Sequence, residues 1–327
     1  MTQISSPASD LPNLTQSRAS RYTVEVALVS DQGEWNRLIG LAPFPHLPQS
    51  FAYGEGKRAK HWTVCRAALL EQGRPVALAS VLERRILGLR VLTRINRGPI
   101  FLDETPRPQR TIAVYEALRR RWRGPLLIAP ALESSVANDA LLRAAGYLRR
   151  QRQGWASGRI DLARTEEEIW ASFNSTFRNR VRQTEKSGAT LRVADDAATY
   201  EWMLARHTEN MRDKGFKAAD ATLLRALREA APASVSVLQL LHQGRPVAGM
   251  SIVRFGHVAE YHIGWFGAEG RKLNGGNFLM WNAMREMQRR GVQSFDVGGL
   301  KPGDGYTRFK QTMNPGGYEI AGEWMSF

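Results

Sequence analysis

The chain has 327 residues, 46 Lys and Arg against 31 Asp and Glu, and a formal net charge of +15 at pH 7. That length suits two domains of ordinary size, and the excess of positive charge favours polyanionic partners: RNA, phosphorylated carriers or an anionic membrane surface. A single cysteine, Cys65, excludes an intrachain disulfide, no window reaches the ~20 apolar residues of a membrane span, and a cytoplasmic location is the expectation.

Residues 1–20 are rich in Ser, Gln, Asn and Pro and read as a disordered tail. Residues 22–28 alternate as a strand, 31–39 form a short helix carrying Trp35, and 43–50 are a proline-dense loop. A hairpin follows, then a strand over 90–96, an amphipathic helix over 109–121, a buried strand over 125–129 and a short helix ending on Gly146. The strand near 158–162 opens the second half. Thr165 and Glu168 make a capping box, and Ile169, Phe173, Phe177 and Val181 recur every four residues, predicting one helix that runs to Gly188. Arg178, Arg182 and Lys186 form a separate stripe on it. A helix over 199–213, a second hairpin, a strand over 258–264, a turn at 274–276, a helix over 277–290 and a strand over 294–297 complete the pass. A glycine-rich loop over 298–305 precedes Tyr306-Thr-Arg-Phe-Lys310.

The hexapeptide Gln-Gly-Arg-Pro-Val-Ala occurs twice, at 72–77 and 243–248, about half a chain apart and each time between apolar stretches. Each copy reads as two strands joined by a tight turn at Gly-Arg-Pro. A period this long means duplicated domains, since solenoid repeats run about 20–50 residues. The expectation is an α/β fold with domains over 21–156 and 157–327. The remaining candidates are bland: Cys65 lies in a strand with no His partner, His257 and His262 do not make a metal site, and Trp170, Trp202 and Trp281 read as core.

In the second half, hairpin, strand, turn, helix and strand succeed one another in the order of GNAT-like acyltransferases. Members using acyl-CoA carry Arg/Gln-x-x-Gly-x-Gly/Ala at the strand-to-helix turn, where backbone N–H groups cradle the pyrophosphate. Here that stretch is Arg271-Lys-Leu-Asn-Gly-Gly276, with Asn274 in place of the first glycine. Three further segments carry a resemblance: Gln49-Ser-Phe-Ala-Tyr-Gly-Glu-Gly-Lys57, Arg97-Gly-Pro-Ile-Phe101, and Phe295-Asp-Val-Gly-Gly299 followed by Phe309-Lys310. Over roughly 45–315 the chain resembles the Fem family of non-ribosomal peptidyltransferases, which are tandem GNAT-like acyltransferase domains.

The resemblance implies an aminoacyltransferase that moves an amino acid from aminoacyl-tRNA to an amine of a peptidoglycan precursor or a similar phosphate-bearing acceptor. It implies no metal and no organic cofactor. Lys310 takes the role of the cation that stabilises the oxyanion, and Lys57 with Arg180 or Arg182 the role of acceptor-phosphate contacts. Asp103 stands as general-base candidate, Tyr306 as a contact to the acceptor peptide, and the arginines around 119–123 and 149–152 as the face toward tRNA. Peripheral membrane contact is compatible with the charge. The alternatives are an acyl-CoA-dependent GNAT N-acyltransferase and a non-catalytic RNA- or membrane-surface-binding module.

Overall fold

The computed structural model of the chain describes residues 22–303 and 305–327, so the tail expected over 1–20 lies outside the described residues. β1 (Val24–Leu28) leads to α1 (Gln32–Leu41), whose N-cap Asp31 accepts from the Glu34 amide. A 3₁₀ turn, Leu47–Gln49, then feeds α2 (Phe51–Arg58), a helix that the sequence reading leaves unassigned between the proline-dense loop over 43–50 and the first hairpin. β2 (Thr63–Glu71), β3 (Arg74–Ile86) and β4 (Leu89–Asn96) form a meander, followed by β5 (Ile100–Phe101), α3 (Pro108–Arg121), β6 (Leu126–Ala129), α4 (Val136–Ala144) and β7 (Leu148–Gln151).

The second half opens with β8 (Ala156–Asp161), α5 (Glu166–Ser172), α6 (Ser175–Glu185) and β9 (Thr190–Ala194). Two helices, α7 (Ala197–Lys214) and α8 (Ala221–Ala230), precede the meander β10 (Val235–His242), β11 (Arg245–Phe255) and β12 (Val258–Phe266). Then come α9 (Ala268–Lys272), α10 (Gly275–Arg289), β13 (Ser294–Asp296), α11 (Gly305–Gln311), β14 (Gly316–Glu319) and β15 (Glu323–Ser326).

The strands make two mixed sheets. The first has the order β1-β2-β3-β4-β6-β15-β7, with β5 beside β3, and the second β14-β8-β13-β12-β11-β10-β9. In each, three antiparallel pairs lead to one parallel pair, β4 with β6 and β12 with β13, reached through a crossover helix. The duplication read from the hexapeptide is therefore a duplication of the whole α/β unit. Both hairpins turn on Gln-Gly: Gln72 and Gly73 have φ of 50° and 75°, Gln243 and Gly244 of 51° and 74°. Two consecutive left-handed residues are a type I′ turn, which matches strand twist, so the turn sits one residue earlier than Gly-Arg-Pro. Pro75 and Pro246 already belong to strands, each beside a bulge at Leu69/Leu70 and Leu240/Leu241, where the missing N–H breaks no regular ladder.

The single helix expected over 165–188 is two. Phe173 is extended (φ −73°, ψ 149°) and the Asn174 side chain accepts from the Phe177 amide at 2.8 Å, starting α6 afresh. The four-residue recurrence persists because Ile169, Phe173, Phe177 and Val181 all enter one core beneath α10. On the other face of the second sheet, Leu223, Leu224 and Leu227 of α8 pack with Leu47 and Ala52 of the first half, so that core belongs to both halves. The strands change sheet between β7 and β8, yet β15 returns to the first sheet between β6 and β7. One cut at 156/157 therefore does not divide the strands.

Candidate active site

β12 and β13 pair in parallel only from Val258 opposite Ser294 to Glu260 opposite Asp296. Beyond that point β12 continues while the β13 chain turns away at Gly298 (φ 71°), and the sheet opens. Lys310, from α11, enters this opening with 4% of its surface exposed. Its Nζ donates to the Gly299 carbonyl at 2.8 Å and lies 5.2 Å from the centre of the Tyr261 ring. Carbonyl dipole and aromatic face both help to make a buried ammonium tolerable. Thr307, one turn before Lys310, accepts from the Lys301 amide at 2.7 Å and ties the glycine-rich loop to the same helix.

A pocket of about 390 Å³ opens on one side of α11. Its floor is the N-terminus of α10, where Gly275 and Gly276 present backbone N–H groups that no earlier turn can satisfy. Asn274 precedes them in the left-handed conformation (φ 54°), which asparagine adopts with little penalty. Its replacement of glycine therefore leaves the cradle's backbone path intact. Arg180, Lys214 and Arg271 supply positive charge, while Phe266, Tyr306 and Phe309 form an apolar wall. The Asn277 side-chain nitrogen is buried there with no hydrogen-bond partner among the described residues.

A second cleft, of about 710 Å³, lies on the first sheet's side of the junction where the chain crosses between the halves, lined by Tyr53, Lys57, Trp62, Arg94, Arg97 and Trp155 and by the returning residues Ile320, Gly322 and Glu323 among others. Its geometry follows from the Gln-Ser motif. Gln49, fully buried, accepts from the Ser80 amide at 2.7 Å and donates to the Asn96 carbonyl at 2.6 Å, bracing β3 against β4. Ser50 then caps α2 by accepting from the Tyr53 amide at 3.1 Å, and α2 carries Lys57 into the cleft. Gly56 lets α2 and α8 touch, since a Cβ there would lie 2.8 Å from the Leu223 carbonyl oxygen.

Between the cavities runs a buried ionic cluster. Arg97 pairs with Glu260 at 3.2 Å. Asp296 accepts from Ser157 Oγ at 2.5 Å, the Gly298 amide at 2.8 Å and Tyr318 OH at 2.6 Å, and Arg159 stands 3.6 Å away. Burial pushes the Glu260 carboxyl up from its usual range, with Arg97 opposing. Burial acts to lower Arg97, but Glu260 and neighbouring oxygens hold its guanidinium more firmly protonated than usual. His46 is driven well below the ordinary histidine value by burial, then by Arg159 and Arg97, and His262 is lowered by burial to about 4.

The structure separates the residues singled out in the sequence. Tyr306 and Arg180 line the α10 pocket, Lys310 is buried at the sheet opening on the same helix as Tyr306, Lys57 lines the interdomain cleft, and Arg182 lies over the Trp170 ring at 5.6 Å outside both. Lys57 and Arg180 therefore do not share one anion. Asp103 is exposed and paired with Arg110, beside Glu71 at the end of β2 opposite Thr63, and it lines neither cavity. Glu260 and Trp155 carry no sequence signal for this site: each sits on a strand or loop whose neighbours only the fold supplies.

Residues 171–311 match the family profile of the acetyltransferase (GNAT) domain. The chain carries a GNAT acyltransferase domain within a tandem GNAT fold. Compared with curated proteins, the sequence has no significant match. Among solved structures the chain is similar to FemX, with a TM-score of 0.77 and 15% identity over 92% of this chain and 96% of that one. It is also similar to the C-terminal domain of a lysylphosphatidylglycerol synthetase from Agrobacterium fabrum (TM-score 0.54, 15% identity, 90% and 92% covered). A tandem GNAT protein from the clavulanic acid biosynthesis pathway aligns at a TM-score of 0.53 with 13% identity, covering 93% and 98%. At these identities the likeness is one of fold, and the fold is the one the Fem resemblance implies. Among the described residues no helix is long and apolar enough to cross a membrane.

Proposed function

We propose that this tandem GNAT protein is an aminoacyltransferase. Aminoacyl-tRNA occupies the α10 pocket and a phosphate-bearing amine occupies the interdomain cleft. The observation that carries the reading is Lys310, a buried ammonium at the sheet opening, with one cation-lined cavity on its own helix and another one aromatic ring away. Attack of the acceptor amine on the ester carbonyl forms the C–N bond and puts negative charge on the carbonyl oxygen. A fixed cation beside that oxygen lowers the barrier. Collapse breaks the C–O bond, and the leaving ribose oxygen takes up the proton that the amine loses. A synthetase named for lysylphosphatidylglycerol supports the use of this fold for joining an amino acid to a phosphate-bearing acceptor.

The rim of the α10 pocket supports an RNA backbone rather than a short anion. The elements that line it carry further cations: Arg182 on α6 and Lys186 at its end, Lys217 after α7, Lys272 on α9, and Lys301 and Arg308 on the loop and helix of Lys310 are exposed, and among the described residues none is paired with a carboxylate. By contrast Arg120 pairs with Glu116, Arg149 with Asp139 and Arg150 with Glu323, so the arginine runs of the first half are partly neutralised. Transfer of radiolabelled amino acids from a charged total-tRNA pool to peptidoglycan precursors tests the reading. Expected is RNase-sensitive transfer that falls about 10²–10³-fold in Lys310→Ala, the usual cost of removing one oxyanion partner. Absence of transfer together with saturable acetyl-CoA binding would assign the α10 cradle to CoA instead.

A further inference from the structure

The interdomain cleft and the sheet opening meet at one aromatic ring. Trp155 lines the cleft and holds the Arg97 guanidinium over its ring at 4.3 Å. The far edge of the same ring presses on Gly299, where a Cβ would lie 2.8 Å from it. Gly299 is the residue whose carbonyl binds Lys310 Nζ. A second path starts at the same guanidinium: Arg97 pairs with Glu260, and the next residue, Tyr261, is the ring that Lys310 lies over. Trp155 Nε1 is buried with no hydrogen-bond partner among the described residues, so packing against them sets the position of the indole.

We propose that Arg97 and Trp155 are positioning residues that transmit occupation of the interdomain cleft to Lys310. The inference rests on Lys310 being the cation of the reaction centre. An anionic group in the cleft competes with Glu260 for Arg97, because a charge-assisted, bidentate contact to phosphate is among the strongest a guanidinium makes. Moving Arg97 releases one face of the indole and alters the field at Glu260. Close packing carries that change to the Gly299 carbonyl, since a ring without clearance displaces its neighbour. Lys310 then reaches its working position only when an acceptor is seated, which restrains loss of the donor ester to water.

The test reads Lys310 itself. In protein labelled with ¹⁵N-lysine, the Lys310 Nζ resonance is assigned from Lys310→Arg and followed while inorganic pyrophosphate is added. The expected result is a saturable shift in the wild type. In Trp155→Leu pyrophosphate affinity stays within about threefold while the Lys310 shift disappears, and in Trp155→Phe, which keeps the stacked ring, the shift returns. Lys57→Ala weakens the shift and the binding together. A Lys310 resonance that saturating pyrophosphate leaves unmoved overturns the proposal, as does a full shift in Trp155→Leu. So does a shift that survives Lys57→Ala, which would come from the α10 pocket. If Trp155→Leu does not fold, Trp155→Met gives the same test, because it keeps an apolar side chain of similar reach but loses the planar ring, and it leaves Arg97 in place. No donor or acceptor amine enters this measurement, so its outcome is independent of whether transfer from tRNA is observed.

Discussion

Two buried histidines show how single residues tune this fold. His46 and His262 each have a buried Nδ1 with no partner among the described residues, and both are held neutral by burial and by nearby cations. A group whose folded value lies below its unfolded value of ~6.5 stabilises the protein above that pH, and the stabilisation is lost as the pH falls through the folded value. For His262 the window runs from ~6.5 down to about 4, and its share is up to about 3 kcal/mol. Urea-unfolding midpoints should therefore drop steadily between pH 7 and 4.5, and His262→Gln should flatten that drop. Asp103, exposed and held by Arg110, stands on a different footing. Asp103→Asn should leave the turnover of transfer within about twofold, because the group touches neither cavity; a loss near that of Lys310→Ala would restore it as the base.

At the scale of elements, the α10 N-terminus turns on two adjacent glycines with different surroundings. A Cβ on Gly275 would lie 2.9 Å from the Gly270 carbonyl oxygen and 3.1 Å from Ala248, whereas on Gly276 it makes ordinary contacts with the Phe309 ring at 3.5 Å and the Phe266 ring at 3.6 Å. Gly275→Ala should lower the thermal midpoint and raise the donor KM. Gly276→Ala should fold normally and, if anything, gain stability through its helix propensity. Thermal scans and donor titrations of the pair check this. Much at this scale is legible from residue order. The capping box at Thr165, the αL cap at Gly215 and the duplicated hairpin all depend on contacts within a few residues. The break between α5 and α6 is not, because a four-residue apolar recurrence is the same whether the helix is continuous or interrupted. The helix α2 is hidden for a similar reason: its two internal glycines argue against a helix locally, and one of them is explained only by the contact with α8.

The whole molecule is closed by its last strand. β15 inserts between β6 and β7, burying Trp324 completely, and residues before it deliver Ile320 and Ala321 to the seam. A chain ending at Gly322 should lose the first sheet's far edge, with a fall in the thermal midpoint and loss of transfer, although every residue of the GNAT-matching stretch 171–311 is retained. A truncated chain as stable as the full one would show β15 to be dispensable. The salt response belongs here too. If the cationic rim holds RNA, donor affinity should fall by orders of magnitude between 50 and 200 mM salt, as expected for several phosphate contacts. An affinity indifferent to salt would exclude that face.

The repeat, the hairpin–strand–helix–strand order and the segment ending in Phe309-Lys310 are written in residue order alone, because turn preference, apolar periodicity and short motifs act over a few positions. With the Fem resemblance that was enough for the tandem GNAT architecture, and it singled out Lys310, which the structure buries at the sheet opening. Only the tertiary structure brought Arg97, Trp155 and Glu260 next to Gly299 and Tyr261, set Lys57 and Arg180 in different cavities, and moved Asp103 away from both. The relations that join the halves, Arg97 with Glu260 and Trp155 with Gly299, are made by residues more than a hundred positions apart. Their energies come from burying charge and fitting rings together, terms that exist only once the two halves have packed.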